Sequence, residues 1–229
     1  MDDREKARWL RNYETFARLY RGRHDIIAEQ NEEGEYQAIP GEGLTFERFL
    51  DQVSLQKTYA VYNLDDSKRV SFGLFDADVF PRKQDWPKLL VGIEKKKEET
   101  LRIMNLLMEM GLKRENILLE FPTVGYHLLI FFKDPVPAKD VKTLMKTVLE
   151  KLQLTEMPFY PKKTEKGPYG DRVQLPLRVN RNTSRRSVFV RDLKTFDPER
   201  YEAEPDFSVL EEVEPVDVAW LNRWVRENR

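Results

Sequence analysis

Two aspartates close an otherwise apolar run, Ser71-Phe-Gly-Leu-Phe-Asp-Ala-Asp-Val-Phe80. Residues two apart on a β-strand point to the same side, so Asp76 and Asp78 are expected to project together from the end of a buried strand. Carboxylates held side by side repel one another, and a divalent cation is the usual compensation. Mg2+ or Mn2+ held this way bridges triphosphate oxygens and assists in-line attack by a hydroxyl. Taken alone, the pair is more simply a strand running out into an acidic turn.

His127 is the second candidate. The chain has only two histidines, so a histidine-rich metal cluster is all but excluded. His127 lies in Val124-Gly-Tyr-His-Leu-Leu-Ile-Phe-Phe132, which reads as a central strand. Gly125 leaves room there for a ligand or another backbone to approach. The imidazole could donate to a phosphate oxygen, although a core histidine satisfied by a backbone carbonyl is the simpler account of one such residue.

A third group is basic. Lys162, Lys163, Arg178, Arg181, Arg185, Arg186 and Arg191 fall in a stretch, Tyr160 to Arg200, with 11 Lys/Arg against 5 Asp/Glu. The following residues, Tyr201 to Arg229, carry 3 against 8. A positive patch beside an acidic flank suits the phosphates of a nucleotide or a nucleic-acid strand. Asp171, heading an expected strand, is available as a third carboxylate. Two solvated faces would give the same charge distribution.

These side chains need a scaffold. Apolar spacing predicts helices over Asp3 to Tyr20, Phe46 to Val53, Trp86 to Met110, Ala138 to Leu152 and Pro215 to Asn228, with Gly22 and Gly111 as stops and Thr45 as an N-cap. Strands are expected over 26–28, 36–38, 117–120, 126–132, 172–179 and 188–190. Thr58 to Leu64 and Arg69 to Asp76, joined by Asp65-Asp66-Ser67, read as an antiparallel hairpin. The order implies an α+β fold, a mixed or antiparallel central sheet with helices packed on it, in place of a doubly wound parallel sheet.

Composition narrows the class. The chain has 229 residues, 40% hydrophobic and 34% charged, with a net charge of −1 and a mean hydropathy of −0.65. That describes a globular protein large enough for a real core. No apolar run nears the roughly 20 residues of a membrane span, and the charged start lacks a signal-peptide core. Cysteine is absent, which removes disulfides and thiolate metal sites and fits a cytoplasmic location. No Walker or dinucleotide glycine motif occurs.

In this order the segments resemble the archaeo-eukaryotic primase superfamily. Its pattern is a strand ending in Asp-x-Asp, a helix, a small-residue turn leading to a strand with a phosphate-binding histidine, and a third acidic residue near an "LP" strand. The resemblance is greatest to primase domains of transposon-linked conflict systems and CRISPR-associated primase-polymerases. It rests on Leu19-Tyr-Arg-Gly-Arg-His-Asp-Ile-Ile-Ala28, Gly34-Glu-Tyr36, Ala60-Val-Tyr-Asn-Leu64, Phe159-Tyr-Pro-Lys-Lys163 and Gly170-Asp-Arg-Val-Gln-Leu-Pro-Leu177. It runs from about Leu19 to Arg191. Two departures stand out. Gly125 sits where the family has a serine two places before the histidine, and Gln174 replaces an arginine common before the "LP".

The resemblance implies an RRM-like catalytic core over 58–200, an N-terminal α/β subdomain over 1–57 and an acidic C-terminal segment over 201–229, a unit compatible with excision from a larger protein. It also implies template-directed nucleotidyl transfer from ribo- or deoxyribonucleoside triphosphates, with two Mg2+ or Mn2+ ions. Asp76, Asp78 and Asp171 would be the catalytic metal ligands, with Glu165 and Asp192 as rivals for the third place. His127, with Gly125, Thr123, Lys162, Lys163 and Arg178, would meet the triphosphate. Arg181, Arg185, Arg186 and Arg191 would grip a single-stranded DNA template and primer. Two other readings stay open: a catalytically silent single-strand-binding module, and a metal-dependent nuclease.

Overall fold

A computed structural model describes residues 2–80, 85–165 and 169–228. The chain opens with α1 (Asp3–Leu19), capped by Asp2, whose side chain accepts from Glu5 N. It continues through β1 (Ile26–Gln30), β2 (Tyr36–Pro40), α2 (Phe46–Val53), β3 (Tyr59–Tyr62) and β4 (Arg69–Asp78). Thr45 caps α2 through its side chain, as its position before the apolar repeat predicts. Then come α3 (Trp86–Glu109), β5 (Ile117–Phe121), β6 (Gly125–Pro137), α4 (Ala138–Leu152) and β7 (Phe159–Tyr160). Short strands follow, β8 (Arg172–Gln174), β9 (Val179–Asn180), β10 (Arg185–Arg186) and β11 (Val188–Phe189), before α5 (Ser208–Glu211) and α6 (Val218–Glu227).

The fold is α+β. A five-stranded sheet runs β11-β5-β6-β4-β7, a four-stranded sheet runs β2-β1-β3-β8, and β9 pairs with β10. Every described ladder is antiparallel. The four-stranded sheet draws β1 and β2 from the first 57 residues and β3 and β8 from beyond them.

Alternation along β4 separates two cores. Phe75 and Ala77 face one core with Leu128, Leu119 and the apolar sides of α3, α4 and α6. Phe72 and Leu74 face the other with Leu129, Phe131 and Leu118, against Phe16 and Tyr20, Phe49 of α2, and Val61 and Val173 of the four-stranded sheet. Among the described residues no helix is long and apolar enough to cross a membrane.

The expected hairpin between 58–64 and 69–76 does not form. β3 pairs with β1 and β8, whereas β4 pairs with β6 and β7. β3 is buried at all four positions and β4 at nine of ten, so each belongs inside a sheet with a neighbour on both edges. The Asp65 side chain accepts from Ser67 N and Arg69 N, both at 2.8 Å, and shapes a corner between the sheets. The strand expected over 172–179 also breaks in two, at Leu175-Pro176-Leu177. Proline has no N–H for a ladder there.

Candidate metal centre

In the ladder joining β4 to β6, Leu74 faces Leu129, Asp76 faces His127 and Asp78 faces Gly125. In the ladder joining β5 to β6, Leu118 faces Leu129 and Glu120 faces His127. A row of Leu118, Leu129 and Leu74 therefore fills the space between the sheets. Two residues further along, the same face carries Glu120, His127 and Asp76, with Asp78 next. The polar row sits where the apolar filling ends, and all four side chains are buried.

Donor atoms of Asp76, Asp78 and His127 lie within 4.8 Å of one another. His127 Nε2 is 3.7 Å from Asp76 Oδ1 and 3.8 Å from Asp78 Oδ1, longer than hydrogen bonds. Its other nitrogen, Nδ1, is 2.8 Å from Glu120 Oε2. Burial pushes the imidazole pKa down, but the Glu120 charge and the contacts with Asp76 outweigh it and raise it to about 10. Two carboxylates and an imidazole suit a divalent cation on donor chemistry, and their spacing lets one ion reach all three.

Glu120 is the residue that sequence reasoning missed. Its signal was a lone acid in Ile117-Leu-Leu-Glu-Phe121, a strand expected to pair with the one carrying His127. Gly125 supports the site sterically. A Cβ there would come 2.2 Å from Ala77 O and 2.6 Å from Asp78 Cα, so only glycine lets β6 pass this close to Asp78. Thr123, at φ 78 in the turn before it, is fully buried, and its hydroxyl lies 2.6 Å from that of Thr183.

Asp171 is not in this cluster. Its Oδ2 accepts from Lys162 N and Lys163 N, both at 2.7 Å, so the carboxylate is spent on holding a loop. Lys163 Nζ donates to Gly170 O, and Lys162 Nζ lies 4.9 Å over the Tyr160 ring. The rivals for third carboxylate are also elsewhere. Glu165 pairs with Lys68 at 2.5 Å, beyond the opposite end of β4 and roughly 25 Å along the strand from Asp76. Asp192 accepts from Lys194 N in an exposed turn. That opposite end of β4 also borders a cavity of about 410 Å³ lined by Arg23, Asn63, Asp66, Arg69 and Ser71, well away from the carboxylate cluster.

The β9–β10 hairpin approaches the cluster from the side of the β5–β6 turn. Asn180 Nδ2 donates to Pro122 O, and Thr183 meets Thr123. Its arginines differ in freedom. Arg185 is held between the rings of Trp86, at 4.6 Å, and Tyr201, at 4.5 Å, and donates to Pro198 O and Glu199 O. Arg186 donates to Leu177 O and Val53 O, and burial lowers its pKa. Arg191 pairs with Asp206 and Glu212. Arg181 is exposed and reaches Asn31 O and Glu32 O. The Arg178 guanidinium makes no hydrogen bond or ion pair among the described residues.

No curated protein matches the chain. The family model of the archaeo-eukaryotic primase domain of the TOTE conflict system matches residues 35–223, which include the whole row of Asp76, Asp78, Glu120 and His127. By that match, and by the α+β scaffold that carries the row, the chain belongs to this archaeo-eukaryotic primase family of primase-like nucleotidyltransferases.

Proposed function

We propose that the protein is a metal-dependent nucleotidyltransferase that extends a primer on a single-stranded template from nucleoside triphosphates. One observation supports this most: two buried carboxylates and an imidazole converge where the apolar filling between the sheets ends, in a primase-family domain. Asp76, Asp78 and His127 would hold a divalent cation. Bound there, the cation supplies charge neutralisation for the triphosphate and for the attacking oxygen.

In the transfer, the primer 3′-oxygen bonds to the α-phosphorus, the α–β bridging P–O bond breaks, pyrophosphate leaves and the hydroxyl proton passes to solvent. Gly125 lets Asp78 stay in register, and the low-dielectric surroundings of the row strengthen its hold on charge. Arg178 and Arg181, on the segment tied to the β5–β6 turn, would meet triphosphate or template phosphates. Lys162 and Lys163 lie on the Asp171 loop and are assigned no part in the transfer.

The test is extension of a labelled primer on a single-stranded template with dNTPs or NTPs and Mg2+ or Mn2+. Asp76→Asn and Asp78→Asn should each lower incorporation at least ~100-fold, the cost of losing a preorganised charge interaction in a transition state. Full incorporation by either folded variant rejects the reading. Strand shortening without nucleotides would mark a nuclease, and cation-independent strand binding without incorporation a silent binding module.

A further inference from the structure

The cavity of about 410 Å³ at the opposite end of β4 from Asp76 lies between the end of α1, the loop 21–25 and the corner joining the two sheets. We infer that it is a second nucleotide site, taking an adenine nucleotide without a metal ion. The base edge would meet the Asn63 amide, and the phosphate would meet Arg21 and Arg69. The inference goes beyond the transfer reaction proposed above and does not rest on the cation site.

Asn63 carries the case. It is 2% exposed and lines the cavity, and neither Nδ2 nor Oδ1 has a hydrogen-bond partner among the described residues. Continuing the alternation of β3, it falls on the side of Tyr59 and Val61, which faces the space between the sheets. Its main chain is held, since Asn63 N donates to Asp171 O at 3.0 Å. A buried amide with both groups unpaired is costly. A ligand that relieves the cost brings a donor and an acceptor side by side. Adenine does so with N6–H and N7, the pair that an asparagine amide meets bidentately.

The charges around the cavity favour an anion at its exposed side. Its acids are committed: Asp25 and Asp66 both bind Arg23, and Asp65 accepts from Ser67 N and Arg69 N. Arg21 is exposed and makes no hydrogen bond or ion pair among the described residues. Arg69 is exposed and donates only to a neutral acceptor, Pro135 O. Two guanidinium groups are therefore available to a phosphate. The walls are also fixed. A Cβ on Gly22 would come 2.7 Å from Tyr62 O, and one on Gly43 would come 2.5 Å from Arg23 O. The loop 21–25 is thus clamped between β3 and Gly43. Leu44, Val61 and Pro135 give the cavity apolar surface for the face of a base.

Equilibrium dialysis of the full chain with radiolabelled AMP in chelator tests this, because chelator removes any cation from Asp76 and Asp78. The wild type should bind AMP, and the Asp76→Asn, Asp78→Asn double variant should bind it equally well. Asn63→Leu removes both hydrogen-bonding groups at similar volume and should weaken AMP about 10-fold or more. Ribose 5-phosphate, which lacks the base, should bind the wild type about 10-fold more weakly than AMP for the same reason. Arg21→Ala should weaken both ligands. No AMP binding at millimolar concentration overturns the inference, as does equal binding of AMP and ribose 5-phosphate. Binding lost in the aspartate variant but kept in Asn63→Leu does the same. If Asn63→Leu does not fold, the comparison of AMP with ribose 5-phosphate and the aspartate variant decide alone. AMP binding in chelator without primer extension would spare this inference and sink the transferase reading; extension without such binding would do the reverse.

Discussion

Gly125 faces Asp78 across the β4–β6 ladder so closely that no side chain fits between them: a Cβ would lie 2.6 Å from Asp78 Cα and 2.2 Å from Ala77 O. Both obstacles are backbone, and neither can swing aside as the tip of a side chain would. Gly125→Ala must therefore push β6 from β4 at the cation site. Overpacking of this kind costs about 1–3 kcal/mol, or roughly 2–12 °C in Tm for a chain of this size. Incorporation should fall further than stability, by ~100-fold, because a shift of about 1 Å in a catalytic carboxylate is that costly. Wild-type activity in the alanine variant would remove the steric role.

Asp171 should behave as a structural acid. Its two charge-assisted hydrogen bonds from backbone N–H groups are each worth about 1.5–3 kcal/mol. Asp171→Ala is expected to lower Tm clearly and to leave Mn2+ affinity, read by calorimetry, within twofold of the wild type. A large loss of Mn2+ affinity with unchanged Tm would restore it as a ligand.

The contrast between Asp76 and Asp171 marks what was legible beforehand. Asp76, Asp78 and His127 could be read because each interrupts a long apolar strand, and strand period alone fixes which side chains share a face. Helix ends such as Thr45 were legible for the same local reason. Asp171 sits in a polar, loop-rich segment, where only tertiary contact decides what a carboxylate meets. The pairing of β3 was likewise nonlocal. A short turn favours a hairpin, but burial of both β3 and β4 on every side drew them into different sheets. Glu120 lay between these cases, visible as an isolated charge but meaningful only once β5 and β6 were in register.

The arginines of 178–191 should separate by experiment into two kinds. Arg185 and Arg186 are bound to rings and carbonyls, so Arg185→Ala and Arg186→Ala should reduce Tm. Arg178, whose guanidinium makes no hydrogen bond or ion pair among the described residues, and Arg181, which is exposed although it also donates to Asn31 O and Glu32 O, should instead hold phosphates. Alanine at either is expected to weaken single-strand binding and to flatten the slope of log affinity against log salt by about 0.7 per lost contact. Fluorescence anisotropy at several salt concentrations measures both quantities. Equal slopes in wild type and variants would place the strand elsewhere.

Without divalent ions, the buried row should make stability depend on pH in a defined window. Burial disfavours the His127 cation, but Glu120 and Asp76 stabilise it more, and the folded pKa rises to about 10 against about 6.5 in the unfolded chain. A group whose pKa is raised by folding contributes its full stability below the unfolded value and loses it as pH climbs through the folded one. The free energy of unfolding of the wild type, minus that of His127→Gln, should thus be flat below about pH 6.5 and decline from there to about pH 10. Urea titrations in chelator at half-unit pH steps give this difference directly. A difference that grew with pH would mean that the ring is neutral in the folded, metal-free protein, and that the three surrounding carboxylates do not act on it as their distances require.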